Sequence, residues 1–374
     1  MPIEKINLEK FLELANHYPV IDVRSPGEYK HAQIPGAFSL PLFTDEERKI
    51  VGTVYKQETK EIAIKIGLDF FGVKMKKMVE MGEEIFRNRH QAPGNTQLPG
   101  DNYLLIHCWR GGMRSAAVAW LMDLYGFKVY TLIGGYKAFR NWVLEQFYIK
   151  HNLKILGGYT GSGKTLILEE LNGKGDSVID LEKLANHKGS AFGAIGEAPQ
   201  PTQEMFENLL AINLFEVGRK NYEVRKSEDL LTSYLLPHTS AVWIEDESQR
   251  IGKLIIPNSF WENMRTSPVY FLDIPFEERL KFLVDTYGAF EKEKLADSIE
   301  RINKRLGGME TQNALTYLLE DNIKECFSIL LKYYDKFYIK GLHNRKKYES
   351  LLNIIPCMSV NTTVNVNKLT QQEV

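Results

Sequence analysis

A glycine-rich octet, Gly158-Tyr159-Thr160-Gly161-Ser162-Gly163-Lys164-Thr165, constrains the fold of this chain more than any other stretch. It spells G-x4-G-K-T in full, follows the apolar run Leu153-Lys154-Ile155-Leu156 and leads into a helical pattern over residues 166–171. Strand, glycine loop and helix in that order make a phosphate-binding loop (P-loop). Gly158, Gly161 and Gly163 let the backbone N–H groups, that of Ser162 among them, wrap a phosphate or diphosphate. Lys164 neutralises its charge, and Thr165 is placed to hold a divalent cation such as Mg²⁺. Such a loop reads the oxyanion and leaves the rest of the ligand open.

Further strands follow the octet. Val178-Ile179-Asp180 is a short one, residues 241–244 form another that closes on Glu245-Asp246-Glu247, and Val269–Asp273 is the last that the pattern shows. Asp180 falls at the C-terminal end of its strand, where open parallel sheets bind ligands. Glu245 or Asp246 stands where P-loop proteins place a carboxylate on Mg²⁺-bound water. His187, alone in a stretch without metal-ligand spacing, reads as a structural residue.

A second loop of the same kind lies upstream. The apolar run Tyr103-Leu104-Leu105-Ile106 leads into His107-Cys108-Trp109-Arg110-Gly111-Gly112-Met113-Arg114-Ser115, and a small-residue helical pattern follows. Loop amides and a helix start converge on the Cys108 sulfur, which favours thiolate over thiol and also suits an anion brought to it. Arg110 and Arg114 add positive charge. Cys108 is therefore expected to act as a nucleophile or a chalcogen carrier, with Arg110 and Arg114 as partners. Cys108 and Arg114 are also spaced Cys-x5-Arg, the pattern of cysteine-dependent phosphatases, so both readings stand on the residues alone.

The other cysteines, Cys326 and Cys357, sit in apolar contexts and read as packing residues; the three together give neither a disulfide framework nor a metal site. The net charge of −1 announces no nucleic acid, so such a ligand has to meet local basic patches at 74–77, 87–90 and 343–347. The N-terminus lacks the apolar core of a signal peptide and no run reaches membrane length, which points to a cytoplasmic protein that does not contact membranes.

Between Pro41 and Tyr103 about sixty residues intervene where α/β connections usually run about 2–6. Ile62, Ile66, Phe70, Phe71, Met75, Met78, Val79, Ile85 and Phe86 recur there at helical spacing, which predicts a helical insertion over about 43–100, ending in a mobile loop at 91–100. From Phe276 the pattern is helical to about Leu352, interrupted at Arg305-Leu306-Gly307-Gly308. Its aromatic residues Tyr317, Phe327, Tyr333, Tyr334 and Phe337 read as a core-facing stripe. Residues 359–374 read as poorly ordered.

The Cys108 loop, together with Val20-Ile21-Asp22-Val23-Arg24, Ile34-Pro35-Gly36-Ala37 and the 126–136 stretch, resembles the rhodanese fold. In that family the Asp-Val-Arg and Ile-Pro-Gly-Ala stretches brace the active-site loop. The expected architecture is α/β: a rhodanese-like parallel-sheet domain at 1–145 with its helical insertion, a P-loop NTPase-like domain at 146–290, and a helical C-terminal region at 291–374.

A rhodanese-like domain carrying Cys-Trp-Arg-Gly-Gly-x-Arg-Ser and fused to Gly-Gly-x-Thr-Gly-Ser-Gly-Lys-Thr resembles the tRNA 2-selenouridine synthases. So do Gly52-Thr53-Val54-Tyr55-Lys56-Gln57, Asp180-Leu181-Glu182, His187-Lys188-Gly189-Ser190, Glu245-Asp246-Glu247-Ser248 and Arg250-Ile251-Gly252. The resemblance covers roughly residues 15–310. It implies a tRNA-modifying transferase that converts wobble 2-thiouridine to 2-selenouridine, by S-geranylation from geranyl diphosphate and then selenium transfer from selenophosphate, with the tRNA and a selenophosphate-supplying enzyme as partners; the alternative is a cysteine-dependent phosphatase or sulfurtransferase with a regulatory nucleotide-binding domain. It implies no tightly bound cofactor and leaves Mg²⁺ open.

Overall fold

The computed structural model describes residues 3–91, 102–223 and 241–371. The chain folds as two compact units, Met1–Glu145 and Gln146–Val374. Of the stretch read as a mobile loop, 91–100, Gln91 ends a helix and residues 92–100 lie outside the described residues.

The first unit is built on a parallel sheet of β1 (Glu4–Ile6), β2 (Val20–Asp22), β3 (Phe38–Ser39), β4 (Tyr103–His107) and β5 (Lys128–Leu132). The strand order is β1-β5-β4-β2-β3. β4 sits in the middle, with Leu105 opposite Val20 on one side and Tyr130 on the other. That is why its sequence is an apolar run rather than an alternation: a strand with helices on both faces buries both sets of side chains. Leu104, Leu105 and Ile106 are all fully buried. The C-terminal end of this central strand delivers Cys108.

The insertion is three helices, Asp45–Gln57, Lys60–Gly72 and Met75–Gln91. Thr44 and Glu47 close a capping box on the first, and the Thr59 side chain caps the second. Phe71, Met78 and Ile85 from the second and third helices are buried in the same core as Ile106, Cys108, Val118 and Met122. Each such side chain contributes about 1.5–3 kcal/mol by leaving water. The insertion is thus part of the core behind the cysteine loop.

The second unit carries β6 (Leu153–Gly158), β7 (Val178–Ile179), β8 (Val242–Glu245), a small antiparallel pair of β9 (Arg250–Ile251) and β10 (Leu254–Ile255), then β11 (Val269–Asp273) and β12 (Leu352–Pro356). The main sheet is parallel in the order β12-β11-β6-β8-β7. The four strands expected from the sequence are all present. β12 is a correction: Leu352–Pro356 pairs along the whole of β11, so the sheet does not end at Asp273.

The tail is a second correction. Residues expected to lack order form the helix Thr362–Gln371, which buries Val366 and Leu369 against Leu168, Leu171 and Ile355. Its polar composition hides a narrow apolar stripe three residues apart, which is enough to dock a short helix on an existing core. The aromatic stripe falls as expected in part. Phe327 is buried with Leu295, Ile299 and Leu330, with Tyr333 and Tyr334 packed on that cluster, whereas Phe337 is 44 % exposed. No helix among the described residues is long and apolar enough to cross a membrane.

Candidate functional site

Cys108 occupies the turn between β4 and the helix Met113–Tyr125. The loop is closed by the next strand's turn: the N–H groups of Tyr136 and Lys137 donate to the carbonyls of Cys108 and Trp109 at 2.8 and 2.9 Å. Gly135, at φ +58°, lies so close that a Cβ there would stand 2.3 Å from the Cys108 carbonyl oxygen and 2.4 Å from the Gly111 nitrogen. No side chain fits, so glycine is required for the two turns to interlock.

The sulfur is buried, and burial by itself pushes the thiol up. Hydrogen bonds outweigh it and leave the thiol below its usual range: the Ser115 hydroxyl and backbone first, then the amides of Arg110 and Gly112. Ser115 Oγ and the Gly112 nitrogen are both 3.3 Å from Sγ. The expected charge of Arg110 and Arg114 is placed differently. Arg110 is exposed and serves through its backbone, while Arg114 Nη1 donates to Glu28 Oε2 at 2.8 Å. Arg48 from the insertion reaches the same oxygen at 2.9 Å. Glu28 thereby holds Arg114 through one of its nitrogens.

Behind the loop, Arg24 and Asp22 form a fully buried ion pair, and Arg24 Nη2 also donates to the Ala32 carbonyl at 2.7 Å. The Arg24 guanidinium lies 3.8 Å over the Tyr136 ring, which itself packs on Trp109. The Asp-Val-Arg stretch therefore braces the loop and does not touch the sulfur. Burial works to raise the Asp22 carboxyl, but His107 and Arg24 beside it hold it below its ordinary value.

The P-loop spans the end of β6 and the start of the helix Lys164–Gly173. Gly161, at φ +79°, has Leu283 and the Arg279 carbonyl about where a Cβ would sit, at 2.9 and 3.0 Å. Ser162 is buried, its hydroxyl donating to the Tyr159 carbonyl at 2.7 Å, so it shapes the loop from within. Gly163 caps the helix in the left-handed region. Lys164 Nζ folds back to the Gly158 carbonyl at 3.1 Å. Thr165 Oγ1 lies 3.4 Å from Glu182 Oε2.

Four carboxylates gather beside Lys164 and Thr165. Glu245 is buried and accepts from the Glu182 amide at 2.8 Å, with Asp180, Glu182 and Glu247 close enough to act on its charge. Burial first, then the neighbouring negative charges, push all four upward, Glu245 and Glu247 furthest. Asp180 also caps the helix Leu181–Ala185 through the Lys183 amide. Asp246 turns elsewhere: one oxygen accepts from the Tyr338 hydroxyl at 2.8 Å and the other is paired with Arg345.

The sequence pattern gave a role to Glu245 and Asp246 but none to Glu182, whose carboxylate lies 3.4 Å from Thr165, nor to Glu28 and Ser115. Glu182 and Ser115 had local signals, standing two residues past Asp180 and seven past Cys108. Among the described residues no cluster of three or more His, Cys, Asp or Glu is arranged to hold a metal ion. His187 is buried, with burial lowering its basicity.

Comparison with known proteins adds the family. Residues 151–353 match the family model described as the tRNA 2-selenouridine synthase AAA domain, and residues 7–141 match the rhodanese-like domain. A tRNA 2-selenouridine synthase of Nitrosomonas europaea is 30 % identical, with 88 % of this chain and 90 % of that protein covered. The proteins of that name from Bdellovibrio bacteriovorus and Sulfurovum sp. are 34 % and 33 % identical, covering 87 % and 83 % of this chain and 89 % and 81 % of their own.

Proposed function

This chain belongs to the tRNA 2-selenouridine synthase family and is an enzyme of that kind, and from that premise we propose that it converts 2-thiouridine in tRNA to 2-selenouridine in two steps, one at each glycine loop. The first step is S-geranylation at the P-loop. The thiocarbonyl sulfur of the wobble base attacks C1 of geranyl diphosphate, the carbon–oxygen bond breaks, and the base gives up its N3 proton. The loop amides and Lys164 take the charge of the departing pyrophosphate. In the second step a carbon–selenium bond replaces the carbon–sulfur bond at C2. The selenium of selenophosphate held in the Cys108 cradle attacks C2, geranylthiol leaves with a proton, and water then takes the phosphoryl group, so that the selenium–phosphorus bond breaks and phosphate is released.

The observation that carries this reading is the Cys108 sulfur itself: buried, yet ringed by the Ser115 hydroxyl and loop amides that favour the thiolate. The same amides are placed to hold the selenophosphate anion beside that thiolate. No tightly bound cofactor is needed. Mg²⁺ fits the carboxylate set only as a companion of the diphosphate, with Thr165 and Glu182 as the protein oxygens it would meet. The partners on this reading are a tRNA with wobble 2-thiouridine and a cytoplasmic enzyme that makes selenophosphate.

Nucleoside mass spectrometry on 2-thiouridine tRNA tests it, with geranyl diphosphate, selenophosphate, both or neither. S-geranyl-2-thiouridine with the first donor and 2-selenouridine with both are the expected products. An unchanged nucleoside profile in every reaction sinks the proposal, and release of phosphate from aryl phosphates would then favour the phosphatase.

A further inference from the structure

We propose that the helix Ile323–His343, far from the P-loop in sequence, sets that loop's shape, with Tyr338 and Asp335 as positioning residues for whatever phosphate the loop binds. Two tethers run from one face of this helix, where residues three apart are neighbours. In the first, the Gly158 N–H donates to the Tyr338 hydroxyl at 3.1 Å, and that hydroxyl donates on to Asp246 Oδ2 at 2.8 Å. Arg345 pairs with the other Asp246 oxygen and donates to the Met264 carbonyl at 3.0 Å, so the hydroxyl is fixed from behind. In the second, Asp335 grips Arg279 through two hydrogen bonds of 2.8 Å, and Arg279 Nη1 donates to the Thr160 carbonyl at 3.1 Å.

Between the tethers lies Tyr159. Its ring has the Arg279 guanidinium 4.6 Å above it and the Phe271 and Tyr338 rings against it at 5.0 and 5.9 Å. The loop's first three residues, Gly158, Tyr159 and Thr160, are therefore each held by a group from outside it.

This arrangement matters because a P-loop recognises an anion by the direction of its amides. A peptide unit is planar and trans, so its N–H points opposite to its C=O. Holding the Thr160 carbonyl fixes the Gly161 N–H, and holding the Gly158 N–H fixes the Gly157 carbonyl. Without the tethers the glycines leave these planes free to turn, and only part of the population presents the amides together. Apparent affinity falls by that fraction.

The proposal rests on the P-loop binding phosphate, as in the proposed function, and the test separates the two. Hydrogen exchange over residues 157–165 and calorimetric titration with inorganic pyrophosphate are measured on the full chain. Wild type, Tyr338→Phe, Asp335→Asn and Lys164→Ala are compared. Tyr338→Phe keeps the ring and removes only the hydroxyl. We expect faster exchange across 157–165 in Tyr338→Phe and Asp335→Asn, with β8 exchanging as in wild type, and pyrophosphate binding weakened roughly 3- to 10-fold, as loss of one hydrogen bond gives. A merely structural role would speed exchange in β8 as well. Exchange over 157–165 equal to wild type in both variants overturns the proposal, whatever pyrophosphate does. Absence of pyrophosphate binding by the wild type rejects the phosphate reading of the loop, and exchange still decides the tethers.

Discussion

The two glycine loops share a plan, strand to loop to helix in a parallel sheet, yet they are completed in opposite ways. At Cys108 the loop amides converge on the chain's own sulfur, so the reactive group is already present. At Lys164 the ammonium is folded onto the Gly158 carbonyl, and the nearby carboxylates, buried together, raise one another. The first loop is braced by its own unit's opening segment, through Asp22, Arg24 and Ala32. The second is braced by residues 119 to 180 positions further along. A loop that brings its own nucleophile needs a rigid wall behind one atom. A loop that awaits an anion needs the direction of several peptide planes, and longer-range supports supply it.

The largest effect that separates the loops is Cys108→Ser. Mass spectrometry of tRNA nucleosides is expected to show no 2-selenouridine while S-geranyl-2-thiouridine still forms. Loss of both products together would mean that the loops do not divide the work.

Next in size is the wall behind the thiol. Arg24→Met leaves the Asp22 carboxylate buried without its partner, and breaking a buried pair costs about 3–5 kcal/mol. Hydrogen exchange across β2 and β4 is expected to rise sharply while β6 and β11 stay protected, since Asp22 and Arg24 belong to the first unit. A variant as protected as wild type would show that Tyr136 and Trp109 hold the loop unaided.

Lys164→Ala comes third. Removing one group that stabilises the leaving charge typically lowers the rate by about 10²–10³-fold. Geranyl transfer is expected to fall by that factor, while selenium transfer to tRNA geranylated beforehand keeps its rate. The reverse pattern would exchange the assignments of the two loops.

Both loops were legible in the sequence because each is contiguous: strand, glycines and helix fall within about twenty residues, and local chemistry dictates their form. The insertion was legible from apolar spacing, down to Phe71, Met78 and Ile85 in the core. What stayed hidden was non-local. β12 is a short run, Leu352–Pro356, whose pairing with β11 no local pattern announces. Asp246 read as a candidate for the phosphate site because it closes an apolar strand, but Arg345, 99 residues later, claims it. Charge placement was the other gap: Arg114 looked like a partner for the thiol, and only the fold shows Glu28 holding it.

The smallest effect tests that last point directly. If Ser115 and the loop amides, rather than the arginines, hold the thiol down, then removing the hydroxyl has to raise it. Alkylation of Cys108 by iodoacetamide follows the thiolate, so its rate climbs as pH rises through the thiol pKa and then levels off. Wild type is expected to level off below the range of an ordinary cysteine. In Ser115→Ala the same climb is displaced to higher pH, because the largest contribution that lowers the thiol is gone. The shift is small because the hydroxyl also lies within donating distance of the Gly112 carbonyl, at 3.0 Å, and because the Arg110 and Gly112 amides remain. Above both midpoints the two rates meet, whereas at neutral pH the variant is several-fold slower. Arg114→Leu is the counter-test: its guanidinium belongs to Glu28, so its removal moves the midpoint less than Ser115→Ala does. A larger shift in Arg114→Leu would return the thiol's activation to charge and make the two loops alike after all.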